Sequence, residues 1–313
     1  MNSRALRAVS RDIVRELGVF AKKCGKVDLS PVEAHILIEL ESASFTSLQL
    51  VERLRIDKSN ASRVLQTMLE QGLIEWQAHL SDKRSKQAVL TLMGKELLQA
   101  VHGQYDGEIN QVLQQLSHAE QQALEAGLVL YRQALVKARA QQGYQIRRML
   151  EADNQGVAAV IRQVSAEHGL SAAQGYGVAD PYLDQLYPCY QQAGAAYWVI
   201  QKDAGELLGG AGIAPLAGAV GSVCELQKMY LLSSSRGLGF GQRLLNIACD
   251  FAKQAGYQQC YLETTASLPA ALALYKKMGF RQIAEAMGDT GHHSCEIFML
   301  KDLWEPRKTH LVS

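Results

Sequence analysis

No run of about 18 apolar residues occurs in the 313-residue chain, so no transmembrane helix is predicted and no membrane partner is expected. The opening segment MNSRALRAVSRDIVREL is charged throughout and has no apolar core of the kind a secretory signal needs, so no signal peptide is predicted. Charge of one sign is missing as well. Lys and Arg number 32 against 31 Asp and Glu, a net charge of +1, which excludes a polycation along the whole chain. The six cysteines (24, 189, 224, 249, 260, 295) form no CxxC pair, which fits a reducing cytoplasm with most of them buried as small hydrophobes. There is no internal repeat, no low-complexity tract, no cluster of metal ligands, and no nucleophile–base pair that argues for covalent catalysis.

What is present is a soluble composition, 48% hydrophobic and 20% charged, on a chain too long for one ordinary core. About two domains are expected. The pattern changes near Gly143. Before it, apolar spacing is almost entirely helical. After it come the alternating runs YQIRRML, AYWVI, ELQKMYLL, QCYLET and EIFML, with more glycine. The reading is therefore residues 1–143, residues 144–304 and a frayed tail, 305–313.

Three helix starts stand out in the first half. Ser30 caps a helix with Pro31 at its first position and Glu33 closing a capping box. Thr46 repeats the box with Gln49, and Asp57 opens DKSNASRVLQTMLEQGLI. That third helix puts Val64, Leu65, Met68 and Leu69 on one face. Its first turns carry Lys58, Ser59, Asn60, Ser62 and Arg63, all able to donate or accept hydrogen bonds. Two short helices joined by a tight turn suit a helix-turn-helix; a plain bundle with a polar outer face suits them too. The next segment reads as strand, charged turn, strand and helix. Its turn carries Lys83, Arg84 and Lys86, as a wing reaching phosphates or a minor groove would. Between Arg53 and Lys86 seven Lys and Arg face four Asp and Glu, a local excess of +3.

GLI at 72–74, DKRS at 82–85, LT at 90–91 and Gly94 stand in the order and spacing of the MarR family of winged-helix regulators, which residues 1–143 resemble. The family's usual basic residue after GLI is replaced here by EWQAH. The resemblance implies binding to a double-stranded DNA operator as a homodimer, paired through helices at 3–23, 94–116 and 118–141. The last of these opens on a capping box of Ser117 with Glu120.

The second half centres on YLLSSSRGLGFGQRLL, with Gly237, Gly239 and Gly241 at alternate positions between a strand-like and a helix-like run. Backbone N–H groups of such a loop, and the helix N-terminus after it, can hold a phosphate. A Walker A loop is excluded, because Lys and Ser/Thr are absent after Gly241. A Rossmann turn finds Gln242 at its third glycine position and only one clear helix beyond, although Glu263 stands where a ribose-binding acid would. Read as R-x-x-G-x-G from Arg236 to Gly241, followed by CYLETT and LYKKMGF, the segment is similar to the GNAT acetyltransferases over residues 144–304.

That resemblance implies an α/β domain with a mixed sheet that takes acetyl-CoA as co-substrate and needs no metal. The backbone of Arg236, Gly237, Leu238, Gly239, Phe240 and Gly241 would hold the phosphates. Met229, Tyr230 and Leu231 would bond the pantetheine arm as an added strand. Tyr275 would serve the leaving thiolate, and Glu225 would act as base. Two positions depart from the family: Leu268 stands for a frequent asparagine, and SSS for a frequent proline before the loop. His292 and His293 are an alternative base or plain surface loop. The loops AQGYGVADPYLDQLYP and GIAPLAGAVGS would form the acceptor side, with Tyr176, Tyr182 and Tyr187 stacking on an amine or packing.

Together these expectations describe a cytoplasmic, bacterial-type fusion: an all-α winged-helix DNA-binding dimer carrying an acetyltransferase for a small amine. Two other functions fit the same residues. One is an acetyl-CoA- or amine-sensing regulator with little turnover. The other is a DNA-localised protein lysine acetyltransferase.

Overall fold

A computed structural model describes residues 2–20, 23–78, 85–174, 176–203, 205–219, 222–291 and 295–304. The chain divides into two compact units, Met1–Gly127 and Leu128–Ser313. The cut falls inside a helix, upstream of residue 143 where the sequence changes character.

The first unit holds α1 (Ser3–Glu16), α2 (Pro31–Ser42), α3 (Ser47–Leu54), α4 (Lys58–Glu70), the hairpin β1 (Ile74–Ala78) and β2 (Lys86–Leu90), α5 (Leu92–Leu113) and the start of α6 (His118–Ala140). Each cap read from the sequence is formed. Ser30–Glu33 and Thr46–Gln49 are reciprocal capping boxes, and Asp57 accepts from the Asn60 N–H. Ser117 and Glu120 bond as expected at the head of α6. α1 is shorter than the predicted 3–23, because Gly18 takes a left-handed φ of 63° just past its end. Ile36, Leu37, Leu50, Leu65, Met68, Ile74, Ala88 and Leu98 make the core, drawn from every element between α2 and α5. The GLI and LT residues meet physically. The Thr91 hydroxyl caps α5, accepting from the Gly94 N–H, and lies within bonding distance of the Gly72 and Leu73 carbonyls. A Cβ on Gly94 would stand 2.0 Å from the Leu73 carbonyl oxygen, so only glycine lets α5 pass so close to the backbone that leads into β1.

The second unit is a seven-stranded sheet in the order β3-β4-β5-β6-β7-β9-β8. The strands are β3 (Tyr144–Arg148), β4 (Ala196–Lys202), β5 (Leu207–Pro215), β6 (Val223–Leu231), β7 (Gln259–Thr264), β8 (Arg281–Ile283) and β9 (Ile297–Asp302). All neighbours are antiparallel except β6 and β7. α7 (Asn154–Glu167), short turns over 172–185 and the four-residue α8 (Leu186–Cys189) cover one face; α9 (Phe240–Gln254) and α10 (Pro269–Lys277) serve the other. The alternation along β4 shows the division. Ala196, Trp198 and Ile200 pack with α9, while Tyr197 and Val199 pack with α7. α9 contributes one stripe, Phe240, Leu244, Leu245, Ala248, Cys249 and Ala252. All six cysteines are free, four of them buried.

The sequence reading placed Gly212–Pro215 in an acceptor loop; they belong to β5. Glycine-rich LLGGAGIAP pairs as a strand because large aromatics occupy the volume its side chains would take. A Cβ on Gly210 or Gly212 would stand 2.5 Å from the rings of Tyr197 or Tyr190.

Candidate functional site

β6 and β7 pair only from Val223 to Glu225, and then part. β6 continues to Leu231, so among the described residues the edge carrying Met229, Tyr230 and Leu231 has no strand partner on the β7 side. A β-bulge sharpens the parting: the β5–β6 register shifts between Gly210 and Gly212, and Lys228 takes a φ of 47°.

The glycine loop lies beside this opening. Gly237 and Gly239 have φ of 76° and 87°, and Gly239 forms the N-cap of α9 with no side chain capping it. Among the described residues, no backbone N–H from Gly237 to Gln242 has a protein acceptor. A Cβ on Gly237 would meet nothing within 4 Å, so the loop surface is open there. A helix N-terminus with free N–H groups and open space in front suits the diphosphate of acetyl-CoA.

A cleft of about 420 Å³ brings together Met229, Tyr230, Leu231, Arg236, Gly237, Gly239, Phe240, Gly241 and Tyr275, with Leu268 at the position of the family asparagine. Leu238 does not line it, and its side chain packs on the α9 core. Tyr275, on α10, is buried against Phe280 with ring centroids 5.9 Å apart, and burial pushes its phenol above the usual tyrosine range.

Glu225 sits where β6 and β7 part and is buried, only 3% exposed, although exposure is the default for glutamate. Burial pushes its carboxyl up to about 7; a hydrogen bond from Gln227 opposes the rise and the nearby Glu263 charge adds to it. Gln227 Nε2 donates to Glu225 Oε2 at 2.6 Å, and Tyr190 Oη donates to Gln227 Oε1 at 3.0 Å.

A second cleft, of about 360 Å³, lies on the other side of the bulge. Tyr176, Asp180, Tyr190, Gln227, Lys228 and Thr290 are among its walls. Lys228 Nζ pairs with Asp180 Oδ2 at 2.6 Å, the lysine nearly buried and the aspartate partly exposed. Of the tyrosines expected on the acceptor side, Tyr176 lines this cleft, Tyr182 is 63% exposed and Tyr187 packs against the α7 core. The sequence reading missed Tyr190, Gln227 and Lys228, and placed Asp180 in the acceptor loop without singling it out. Their roles come from a bulge and a long-range packing that no local pattern carries. It also missed Lys137, which lines the first cleft. His292 and His293 lie outside the described residues. Among the described residues no group of three or more His, Cys, Asp or Glu could hold a metal ion.

In the first unit, Lys58, Ser59, Ser62 and Arg63 are exposed along the start of α4, with Asn60 half-buried, and Lys86 is exposed at the head of β2. Lys83 and Arg84 lie outside the described residues. The polar head of α4 is internally ordered: Ser59 Oγ donates to Asp57 at 2.5 Å and Arg63 Nε to the Ser59 carbonyl at 3.3 Å.

A mixed sheet that parts beside a glycine loop at a helix N-terminus defines the acetyltransferase class of fold. Residues 165–280 match the acetyltransferase (GNAT) family, and residues 27–85 match the MarR family. The chain is 52% identical over 158 residues to the uncharacterized N-acetyltransferase YjgM of Escherichia coli K12, covering 50% of this chain and 94% of that one. It is 29% identical over 140 residues to N-acetyltransferase family 8 member 2 of Rattus norvegicus, spanning 58% of that relative. Solved structures similar to it include an acetyltransferase of the GNAT family from Staphylococcus aureus Mu50, 18% identical with a TM-score of 0.46, covering 51% of this chain and 99% of that one. Another is yncA from Salmonella typhimurium with its cofactor acetyl-CoA, 21% identical with a TM-score of 0.41, covering 53% and 97%. The chain belongs to the GNAT acetyltransferase family. It is an acetyl-CoA-dependent N-acetyltransferase with a MarR-family domain in its N-terminal half.

Proposed function

We propose that the chain acetylates the amine of a small molecule and regulates transcription as a DNA-bound winged-helix dimer. The observation that carries the catalytic part is Glu225: a buried carboxyl whose pKa burial raises to about 7, on the strand whose free edge runs into the cleft. Acetyl-CoA supplies the acyl group as a thioester. The N–H groups from Gly237 to Gly241 hold its diphosphate, and the β6 edge from Met229 to Leu231 orients its pantetheine arm. One N–H of that edge polarises the thioester carbonyl. Glu225 takes the proton from the attacking amine, directly or through one water, and the Tyr275 hydroxyl gives a proton to the departing thiolate. The acceptor enters from the cleft walled by Tyr190, Gln227 and the Lys228–Asp180 pair, a polar and partly aromatic surface scaled to a small molecule.

For the first unit, the exposed polar start of α4 faces DNA, with Lys58, Ser59, Asn60, Ser62 and Arg63 in the groove and the wing residues Lys83, Arg84 and Lys86 on phosphate. Pairing of two copies is supported by exposed apolar residues on the helices the family would use: Val9 and Ile13 on α1, Ile109 and Val112 on α5, Leu124 and Leu128 on α6.

The test is an acetyl-CoA consumption screen across an amine library, with and without DNA. Turnover of one small amine is expected. Acetylation confined to protein lysines, or ligand-dependent DNA binding without turnover, would replace this reading with one of the two alternatives.

A further inference from the structure

We infer that Lys137, on the last turns of α6, supplies a cation to the phosphates of acetyl-CoA, and that Gln141 positions it against the glycine loop. The inference rests on the reading that this loop binds acetyl-CoA. Both residues fall in the second unit, before its first strand.

The need for another cation starts with Arg236. It is the basic residue of the loop, yet its guanidinium is already engaged. One terminal nitrogen bonds Glu167 at 2.5 Å, and Nε donates to the Leu231 carbonyl at 2.9 Å. Its guanidinium therefore already has an anionic partner, Glu167, before any phosphate arrives. At the loop itself the doubly charged diphosphate would then meet backbone N–H groups and a helix end worth about half a unit charge; Lys277 and His168 also line the cleft, but it is Lys137 that the structure sets against the glycines.

Lys137 meets that need. Its side chain crosses directly over the loop: Cδ stands 3.1 Å from where a Cβ on Gly239 would be. Nζ lies 3.4 Å from Gln242 Oε1, in the first turn of α9. No carboxylate pairs with it among the described residues. It lines the cleft together with Gly237, Gly239 and Gly241. An ammonium without an anionic partner, beside N–H groups without acceptors, is complementary to a phosphate.

Gln141 fixes the geometry. Only 8% exposed, it donates from Nε2 to the Leu238 carbonyl at 2.7 Å and accepts at Oε1 from Arg243 at 2.5 Å. Those bonds pin the end of α6 to both the loop and α9. They hold Lys137, one helical turn earlier on the same face, over Gly239.

Calorimetry on the full chain tests this with acetyl-CoA and 3′-dephospho-acetyl-CoA at several salt concentrations. Lys137→Met should weaken acetyl-CoA binding roughly 10- to 100-fold and flatten its salt dependence, as loss of a charge-assisted bond does. Lys137→Arg should restore most of the affinity. In steady state Lys137→Met should raise KM for acetyl-CoA and leave kcat nearly unchanged, since the bond is equal in ground and transition states. Loss of the difference with the dephospho analogue would place Nζ on the 3′-phosphate; its persistence would place Nζ on the diphosphate. Wild-type affinity and salt slope in Lys137→Met, with binding lost in Gly239→Trp, would overturn the inference and leave the loop reading standing. No acetyl-CoA binding by the wild-type chain would overturn both.

Discussion

Gln227 donates its amide to Glu225 at 2.6 Å while accepting from the buried Tyr190 hydroxyl at 3.0 Å. Tyr190 therefore fixes which way the amide points, and the amide presents N–H to the carboxylate. A donor aimed at a carboxylate favours its charged form, against the burial that raises its pKa. With that pKa near 7, kcat/KM for the amine should rise with pH along a limb centred near 7, because the base must be deprotonated. Gln227→Leu removes the donor, so the limb should move to higher pH. Glu225→Gln should lower turnover roughly 100- to 10,000-fold while acetyl-CoA still binds. A pH–rate profile of the three proteins decides it; a limb that stays in place in Gln227→Leu excludes the coupling.

The same shift has a sign for stability. The folded pKa, about 7, lies above the 4.5 of an ordinary glutamate, so the folded state binds the extra proton between those values. Stability contributed at this site is full below pH 4.5 and is lost as pH rises toward 7. Glu225→Gln should thus gain in melting temperature relative to wild type at pH 8 and show little difference at pH 4. Scanning calorimetry at both values measures it, and an equal difference at the two pH values counts against a buried, charged Glu225.

Tyr275 is packed on Phe280 at the floor of the cleft, with its hydroxyl the only polar atom of the side chain. Tyr275→Phe keeps the ring and its packing. Acetyl-CoA affinity should therefore survive while turnover falls roughly 100- to 10,000-fold. Wild-type kcat in this variant would remove the hydroxyl from the proton path.

The parts of this architecture that were legible in the sequence are those with a short-range cause. Ser30, Thr46, Asp57 and Ser117 were readable as caps because a cap bonds within three residues. The loop from Arg236 to Gly241 was readable because φ above zero selects glycine at fixed spacing. β5 was not, since the reason LLGGAGIAP forms a strand is the volume of Tyr190 and Tyr197, distant in sequence. The burial of Glu225 and the reach of Lys137 and Gln141 to the loop were hidden for the same reason: each depends on contacts across dozens to about a hundred positions.

In the first unit, the residues at the start of α4 and those of the charged turn before β2 should divide the work. Arg84→Ala and Lys86→Ala should weaken binding to all sequences and each reduce the salt slope by about one, as lost phosphate contacts do. Arg63→Ala should instead relax specificity by about 1–3 kcal/mol at one base pair if its fork meets a base edge. Gel shifts across salt and operator variants separate the two. Unchanged affinity and slope in Arg84→Ala would take the wing out of the interface.

α6 runs unbroken from His118 to Ala140, and at its far end Lys137 and Gln141 touch the loop and the head of α9. Its earlier turns expose Leu124 and Leu128, apolar residues on a helix expected to pair two subunits. A ligand that restrains the end of such a helix reduces the freedom of the whole helix, since a continuous hydrogen-bonded rod does not bend sharply without a break. Acetyl-CoA should therefore change operator affinity by a factor of about 5 to 150, the usual range of coupling between linked sites. Reciprocity then fixes a second number: operator DNA must change acetyl-CoA affinity by the same factor. Lys137→Met and Gln141→Ala should shrink both factors together, because they loosen the contacts that tie the end of α6 to the glycine loop. The measurement is operator affinity with no ligand, with acetyl-CoA, with the acceptor and with both. Four equal affinities would mean two independent functions on one chain; unequal affinities that survive in Lys137→Met and Gln141→Ala would mean the coupling runs by another route.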